Sequence, residues 1–227
     1  MKISQEDVLH FKQRHSDENK IIADIIQNRL YDQFEETIID VGAGTGDITS
    51  KALAAKRVVQ VDILNYDECL PAEKHHRIVG DFFDYLPEPE EKIGTLFFSH
   101  VLQFLDRDIA QLNHKVQTLA ANKIITVTNV NDAFMGELLR WTMDNFACAN
   151  PETDLSDFPS GYRLCGEEDF KGHVTCTDFG SLGKQVRYLM DTQPSAREEE
   201  ALESFLRENL SSPTFSINQK IKVYTQA

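Results

Sequence analysis

Between Asp40 and Gly46 the chain reads Asp-Val-Gly-Ala-Gly-Thr-Gly. Glycines at alternate positions, Gly42, Gly44 and Gly46, let a backbone turn sharply and approach a ligand with no Cβ in the way. A dinucleotide fingerprint, GxGxxG, needs its last glycine at position 47, where this chain has Asp47. Asp40 has little use beside a pyrophosphate. It suits a ligand with a cationic amino-acid portion. Further acids stand at Asp62, closing Val-Val-Gln-Val-Asp, and at Asp81, opening Asp-Phe-Phe-Asp. Polar groups that can hold or deprotonate a reactant follow at Ser99-His100 and Gln103, then at Asn129 and Asn131.

The elements that must position these residues are legible as hydrophobic periodicity. Thr37 to Val41 is a β-branched run that stops at the glycines and reads as a buried strand. A helix is expected from Thr45 to Lys56, presenting backbone N–H groups at its start. Further buried strands are expected at 58–61, 77–79, 95–98 and 123–128. Ile21, Ile22, Ile25, Ile26 and Leu30 make 18–34 helical. Ile109, Leu112, Val116 and Leu119 mark an amphipathic helix capped by Asp106 and closed by Asn122. Phe134, Leu138 and Trp141 mark another over 132–148. Towards the end, 173–179 is a strand candidate, 195–210 a charged helix and 215–224 a last strand. Strands alternating with helices through short links imply an α/β, doubly wound, mainly parallel sheet with helices on both faces. Ligands of such sheets lie across the carboxyl ends of the strands.

Composition narrows the partners. The chain has 227 residues, 41% hydrophobic and 26% charged, and a formal net charge of -14 from 37 acidic and 23 basic residues. Nucleic-acid binders need a surplus of Lys and Arg, so the expectation is no nucleic acid. No apolar run approaches the ~18 residues that span a bilayer, and the charged N-terminus has no signal-peptide core. The expectation is a cytoplasmic chain with no membrane partner. Cys69, Cys148, Cys165 and Cys176 form no CxxC pair and no Cys/His cluster has zinc spacing, so no metal is expected and the thiols read as reduced packing groups.

The segment Ile-Ile-Asp-Val-Gly-Ala-Gly-Thr-Gly-Asp-Ile-Thr, 38–49, resembles motif I of the class I S-adenosylmethionine-dependent methyltransferases. Asp62, Asp81 and Ser99-His100 fall into that family's order, so the resemblance covers roughly 38–130. It implies a Rossmann-like fold with an antiparallel last strand, S-adenosylmethionine as cofactor and S-adenosylhomocysteine as product. It implies a cofactor site of Asp40, Gly42, Ala43, Gly44, Gly46, Asp62, Ile63, Asp81, Phe82 and Ser99. In it Asp62 accepts the ribose hydroxyls and Asp81 lies near the adenine amino group. Phe82 either stacks on adenine or belongs to the core. The expected organisation is a single domain: a helical lid over 1–36, a core over 37–181, a helical insertion over 182–213 and the last strand over 214–227.

Methyl transfer is an in-line displacement, and the cofactor brings the activated methyl group. The protein aligns donor and acceptor and excludes water, with a base only where the acceptor is protonated. His100 is the candidate catalytic residue. Glu18, His100, Gln103, Asn129 and Tyr162 are candidates for holding the acceptor, with Tyr162 or Trp141 as an aromatic wall for a cation. A looser resemblance to the histamine N-methyltransferases runs through Arg14 to Asn19, Ser99 to Leu102 and the helical insertion. It implies that Glu18 approaches a substrate amine and that His100 replaces a substrate-contacting glutamine. The expected partner is a small-molecule methyl acceptor, N- or O-directed. Protein or peptide methylation and non-catalytic cofactor binding remain open at this stage.

Overall fold

The computed structural model describes residues 15–65, 73–88, 91–102, 105, 109–130, 133–146, 157–189 and 195–227. The candidates Gln103, Asp106 and Asn131 lie outside them, as do Cys69 and Cys148. In chain order the elements are α1 (Glu18–Ile25), β1 (Thr37–Val41), α2 (Asp47–Ala52), β2 (Arg57–Asp62), β3 (His75–Val79), β4 (Thr95–Ser99), α3 (Ile109–Leu119), β5 (Lys123–Asn129), α4 (Ala133–Asn145), β6 (Tyr162–Thr175), α5 (Phe179–Leu189), α6 (Ala196–Asn209) and β7 (Thr214–Gln226). The strands form one seven-stranded sheet in the order β3-β2-β1-β4-β5-β7-β6. The first five are parallel. The β5–β7 and β7–β6 pairs are antiparallel.

β1, β2, β4 and β5 are the apolar, β-branched runs visible in the sequence, and each is buried over most of its length. Burial on both faces explains why they read as continuous apolar runs rather than alternating ones. Register places Asp40 of β1 beside Gln60 of β2 and Phe97 of β4. Ser99 of β4 stands opposite Val127 of β5. The carboxyl ends of β1, β2 and β4 thus share one edge of the sheet.

The chain divides into two compact units. One comprises Lys20–Thr128, Glu152–Asp169 and Lys220–Ala227. Its core gathers Ile39, Val41, Val59, Val61, Phe82, Phe98, Leu112, Val116, Ile124 and Phe158. The other comprises Met1–Asn19, Asn129–Pro151 and Phe170–Gln219. Its core gathers Leu138, Val174, Leu182, Leu202, Leu206, Phe215 and Ile217, with Trp141 stacked on Phe205 at 4.8 Å between ring centroids. Trp141 is therefore a packing residue of that unit.

Three expectations need correction. The helix after the glycines spans only Asp47–Ala52, because Leu53 leaves helical geometry before the turn into β2. The strand expected at 173–179 lies at Tyr162–Thr175, and Phe179 begins a helix. Arg163, Cys165, Glu167, Asp169 and Lys171 line its exposed face, but Gly166, Glu168 and Gly172 interrupt the apolar residues of the other face, so the alternation is hard to read. Of the seven strands β7 alone runs against the rest, because it is antiparallel to both β5 and β6, and this is the antiparallel last strand expected from the sequence. Finally, α3 stops at Ala120, which adopts φ 49°, and not at Asn122. The Asn122 amide instead donates to Glu35 Oε2 at 2.7 Å. By contrast, Ser195 caps α6 in a full capping box with Glu198.

Candidate functional site

The glycine loop joins β1 to α2 at the carboxyl edge of the sheet. Gly42, Gly44 and Gly46 have φ of 65°, 58° and 73°, the left-handed region that side chains disfavour. Two of them are also closely packed. A Cβ on Gly42 would stand 2.2 Å from Val101 Cγ2, and one on Gly46 would stand 2.2 Å from Gln60 Nε2. At Gly44 a Cβ would meet nothing within 4 Å among the described residues. The loop starts by donating Gly42 N–H to the Val61 carbonyl at 2.8 Å.

Asp62 closes the loop. Its carboxylate accepts Gly44 N–H at 2.8 Å and Leu64 N–H at 3.0 Å. The side chain is thereby fixed at the end of β2 with acceptor lone pairs to spare. Ile63 next to it is 64% exposed, and Val79 at the end of β3 is 53% exposed. Exposed apolar side chains beside a fixed carboxylate suit a ligand with an aromatic face and vicinal hydroxyls. Asp81 follows β3, where its Oδ1 accepts Phe83 N–H at 2.9 Å.

Phe82 is a correction. It is 3% exposed and packs edge-on against Phe98 at 5.8 Å, so it belongs to the core and offers no face to a ligand. Lys115, which composition alone did not single out, turns its buried Nζ to the Phe83 carbonyl at 2.9 Å and anchors this turn from α3. Burial holds its ammonium below the usual range, and Asp84 and Asp81 oppose that shift.

Ser99 and His100 follow β4. Ser99 Oγ is buried with no hydrogen-bond partner among the described residues, a group that calls for a ligand or water. His100 is 9% exposed and takes φ 53°, while its N–H donates to the Val127 carbonyl at 3.0 Å. A left-handed histidine is strained by about 1–2 kcal/mol, and such strain gathers at functional sites. Because Val101 lies against Gly42, this turn and the glycine loop are neighbours.

Asp40 is placed inside rather than at the open edge. It is 3% exposed and its Oδ2 accepts the Thr49 hydroxyl at 2.7 Å. Burial pushes its carboxyl up to about 7; the Thr49 bond lowers it, Asp62 raises it and Arg77 lowers it. Gln60, 1% exposed on β2, donates Nε2 to Thr49 Oγ1 at 3.2 Å. Thr49 and Gln60 were missed as site residues. A glutamine inside Val-Val-Gln-Val was the signal, since a polar side chain in a doubly buried strand must find a partner.

The acceptor candidates separate. Tyr162 is a second correction: its hydroxyl donates to the Ala121 carbonyl at 2.7 Å, at the amino end of β5 and hence the opposite edge from the glycine loop. Glu18 and Asn129 belong to the second unit. Glu18 is 4% exposed, its N–H donates to Ser16 Oγ at 3.2 Å, and a Cβ on Gly172 would stand 2.6 Å from its Cγ. Asn129 Oδ1 accepts Gln219 Nε2 at 3.3 Å. Gln219 is 1% exposed on β7, and its Oε1 has no hydrogen-bond partner among the described residues; the sequence alone did not single it out.

No protein-family model matches the chain, and no curated protein matches it. Solved structures do. A cyclopropane-fatty-acyl-phospholipid synthase-like protein from Lactobacillus casei superposes with TM-score 0.57 and 10% identity, covering 99% of this chain and 95% of that one. The N-methyltransferase NodS from Bradyrhizobium japonicum, in complex with S-adenosylhomocysteine, superposes with TM-score 0.52 and 11% identity, covering 95% and 90%. The fold is Rossmann-like, and the chain shares it with these two structures. The residues present fit the S-adenosylhomocysteine held by NodS: a left-handed glycine loop, a fixed acid, two exposed apolar side chains and a serine hydroxyl with no partner among the described residues.

Proposed function

We propose that the chain is an S-adenosylmethionine-dependent methyltransferase that methylates nitrogen or oxygen of a small molecule. The observation that carries this reading is the left-handed glycine loop closed by Asp62 through Gly44 N–H. When bound, the cofactor supplies a methyl group activated by the sulfonium. Asp62 accepts the ribose hydroxyls, Ile63 and Val79 flank the adenine, and Asp81 faces its amino group. Ser99 and the loop backbone hold the amino-acid portion. His100 holds the acceptor or takes its proton. Glu18, Gln103 and Asn129 recognise the acceptor's polar groups, with Gln219 fixing the Asn129 amide. The net charge of -14 favours a small, neutral or cationic acceptor over nucleic acid. Among the described residues no helix is long and apolar enough to cross a membrane. A cytoplasmic site of action fits this reading.

Calorimetric titration with S-adenosylmethionine, S-adenosylhomocysteine and NADH tests the cofactor. Tight NADH binding without S-adenosylmethionine binding overturns the reading. A screen over amines, phenols, carboxylates and peptides, read as S-adenosylhomocysteine release, tests the acceptor. His100→Ala is expected to lower turnover on the acceptor so found while sparing cofactor affinity; unchanged turnover makes His100 structural.

A further inference from the structure

Asp40, Thr49 and Gln60 form a buried chain directly under the glycine loop. Thr49 Oγ1 stands 2.7 Å from Asp40 Oδ2 and 3.3 Å from the Gly46 carbonyl. It also accepts Gln60 Nε2 at 3.2 Å, and that same amide fills the space against Gly46 where a Cβ would sit. The Thr49 hydroxyl has one proton and two acceptors. While Asp40 is ionised, the Thr49 O–H donates to its carboxylate. Once Asp40 is protonated, its own O–H donates to Thr49, and the Thr49 proton turns to Gly46, a carbonyl of the loop itself. Gln60 Oε1, buried and without a partner among the described residues, gives the rearranged chain a further acceptor. Each protonation state of Asp40 thus corresponds to a different hydrogen bond on the loop.

We propose that Thr49 and Gln60 are positioning residues that couple the charge of Asp40 to the glycine loop, so that the site discriminates S-adenosylmethionine from S-adenosylhomocysteine by charge. This rests on the cofactor reading above. The two ligands differ by the positive sulfur. A cation entering a low-dielectric site favours ionised Asp40, and the uncharged thioether does not. S-adenosylmethionine binding therefore expels a proton from Asp40 near neutral pH, and product binding does not. The charged groups acting on Asp40 are Asp62 at the end of β2 and Arg77 on β3. Its strand neighbours, Gln60 and Phe97, carry no charge, nor does Thr49 from α2. Burial already holds Asp40 near 7 in the free protein, which places the transition in the working range.

The test is calorimetry on the full chain with both ligands between about pH 6 and about pH 8, in two buffers of different ionisation enthalpy. Over that interval the Kd for S-adenosylmethionine tightens about fivefold or more with measurable proton release, and that for S-adenosylhomocysteine changes by less than about twofold. Because the sulfonium lowers the ionisation of the α-amino group of its own ligand, each free ligand is titrated alone and its proton change is subtracted. Thr49→Val moves the midpoint to higher pH and Thr49→Ser restores it; Asp40→Asn abolishes the difference between the ligands. Equal pH dependence for both ligands, or none, overturns the proposal. Independently of any ligand, carbon-13 NMR follows the Asp40 carboxyl in the free chain. A midpoint near neutrality that rises in Thr49→Val supports the relay, and titration in the ordinary carboxylate range overturns it. Failure of S-adenosylmethionine to bind at any pH defeats the cofactor reading and leaves this NMR result to decide the relay.

Discussion

Two carboxylates on neighbouring strands, Asp40 and Asp62, have opposite roles because their partners differ. Asp62 is held by two backbone N–H groups at the edge of the sheet, where it stays available to a ligand. Asp62→Ala removes charge-assisted bonds worth about 1.5–3 kcal/mol. The expected loss is about ten- to hundredfold in cofactor affinity by calorimetry, and unchanged affinity places the ribose acid elsewhere. Asp40 is buried with a hydroxyl, and burial raises its carboxyl to about 7. The folded chain therefore keeps a proton that the unfolded chain has released above its ordinary value of 3.8. Stability from this group is full below that value and is lost as the pH climbs through about 7, by an upper limit on the order of 4 kcal/mol. Asp40→Asn is expected to outlast the parent in urea at alkaline pH, with the advantage vanishing near pH 4.

At the scale of elements, the loop works because strands on either side lock it. Val101 after β4 and Gln60 within β2 occupy the places that side chains on Gly42 and Gly46 would need. The turn after β4 carries its own strain in left-handed His100. The end of α3 carries a similar strain with no such use: Ala120 adopts φ 49°. Ala120→Gly is expected to stabilise the chain by about 1 kcal/mol, read from urea unfolding. If stability falls instead, the helix end is held by contacts of the alanine methyl.

At the scale of the molecule, ligand binding to the folded chain alone must raise its stability. S-adenosylmethionine at about a hundredfold over its Kd is expected to add about 2.7 kcal/mol, seen as a higher Tm in a thermal melt. No shift at any concentration would falsify cofactor binding. The acidic surface gives a second expectation: labelled RNA is not retarded by the chain at moderate salt, because no surplus of cations exists to release counterions. The acceptor candidates are divided in sequence as well as in structure. Glu18, Asn129 and Gln219 come from three distant segments of one unit, while the glycine loop, Asp62 and His100 belong to the other.

The sequence by itself determined the parallel half of the sheet and the loop. Continuous β-branched runs are what doubly buried strands require, and GxGxG with Asp62 in order is a local pattern that needs no tertiary knowledge. It misjudged β6, because Gly166, Glu168 and Gly172 fall on the less exposed face of this edge strand and break the apolar half of the alternation that would reveal it. Only the tertiary structure decided which way side chains turn at the strand ends. It sent Phe82 into the core, because Phe98 lies behind it, and Tyr162 to the far edge, because Ala121 offers its hydroxyl a carbonyl there. It also tied Asp40 to Thr49 and Gln60, nine and twenty residues away in the chain, through contacts no spacing rule encodes. Burial and hydrogen-bond satisfaction are properties of the assembled neighbours, so they appear only once the strands lie side by side.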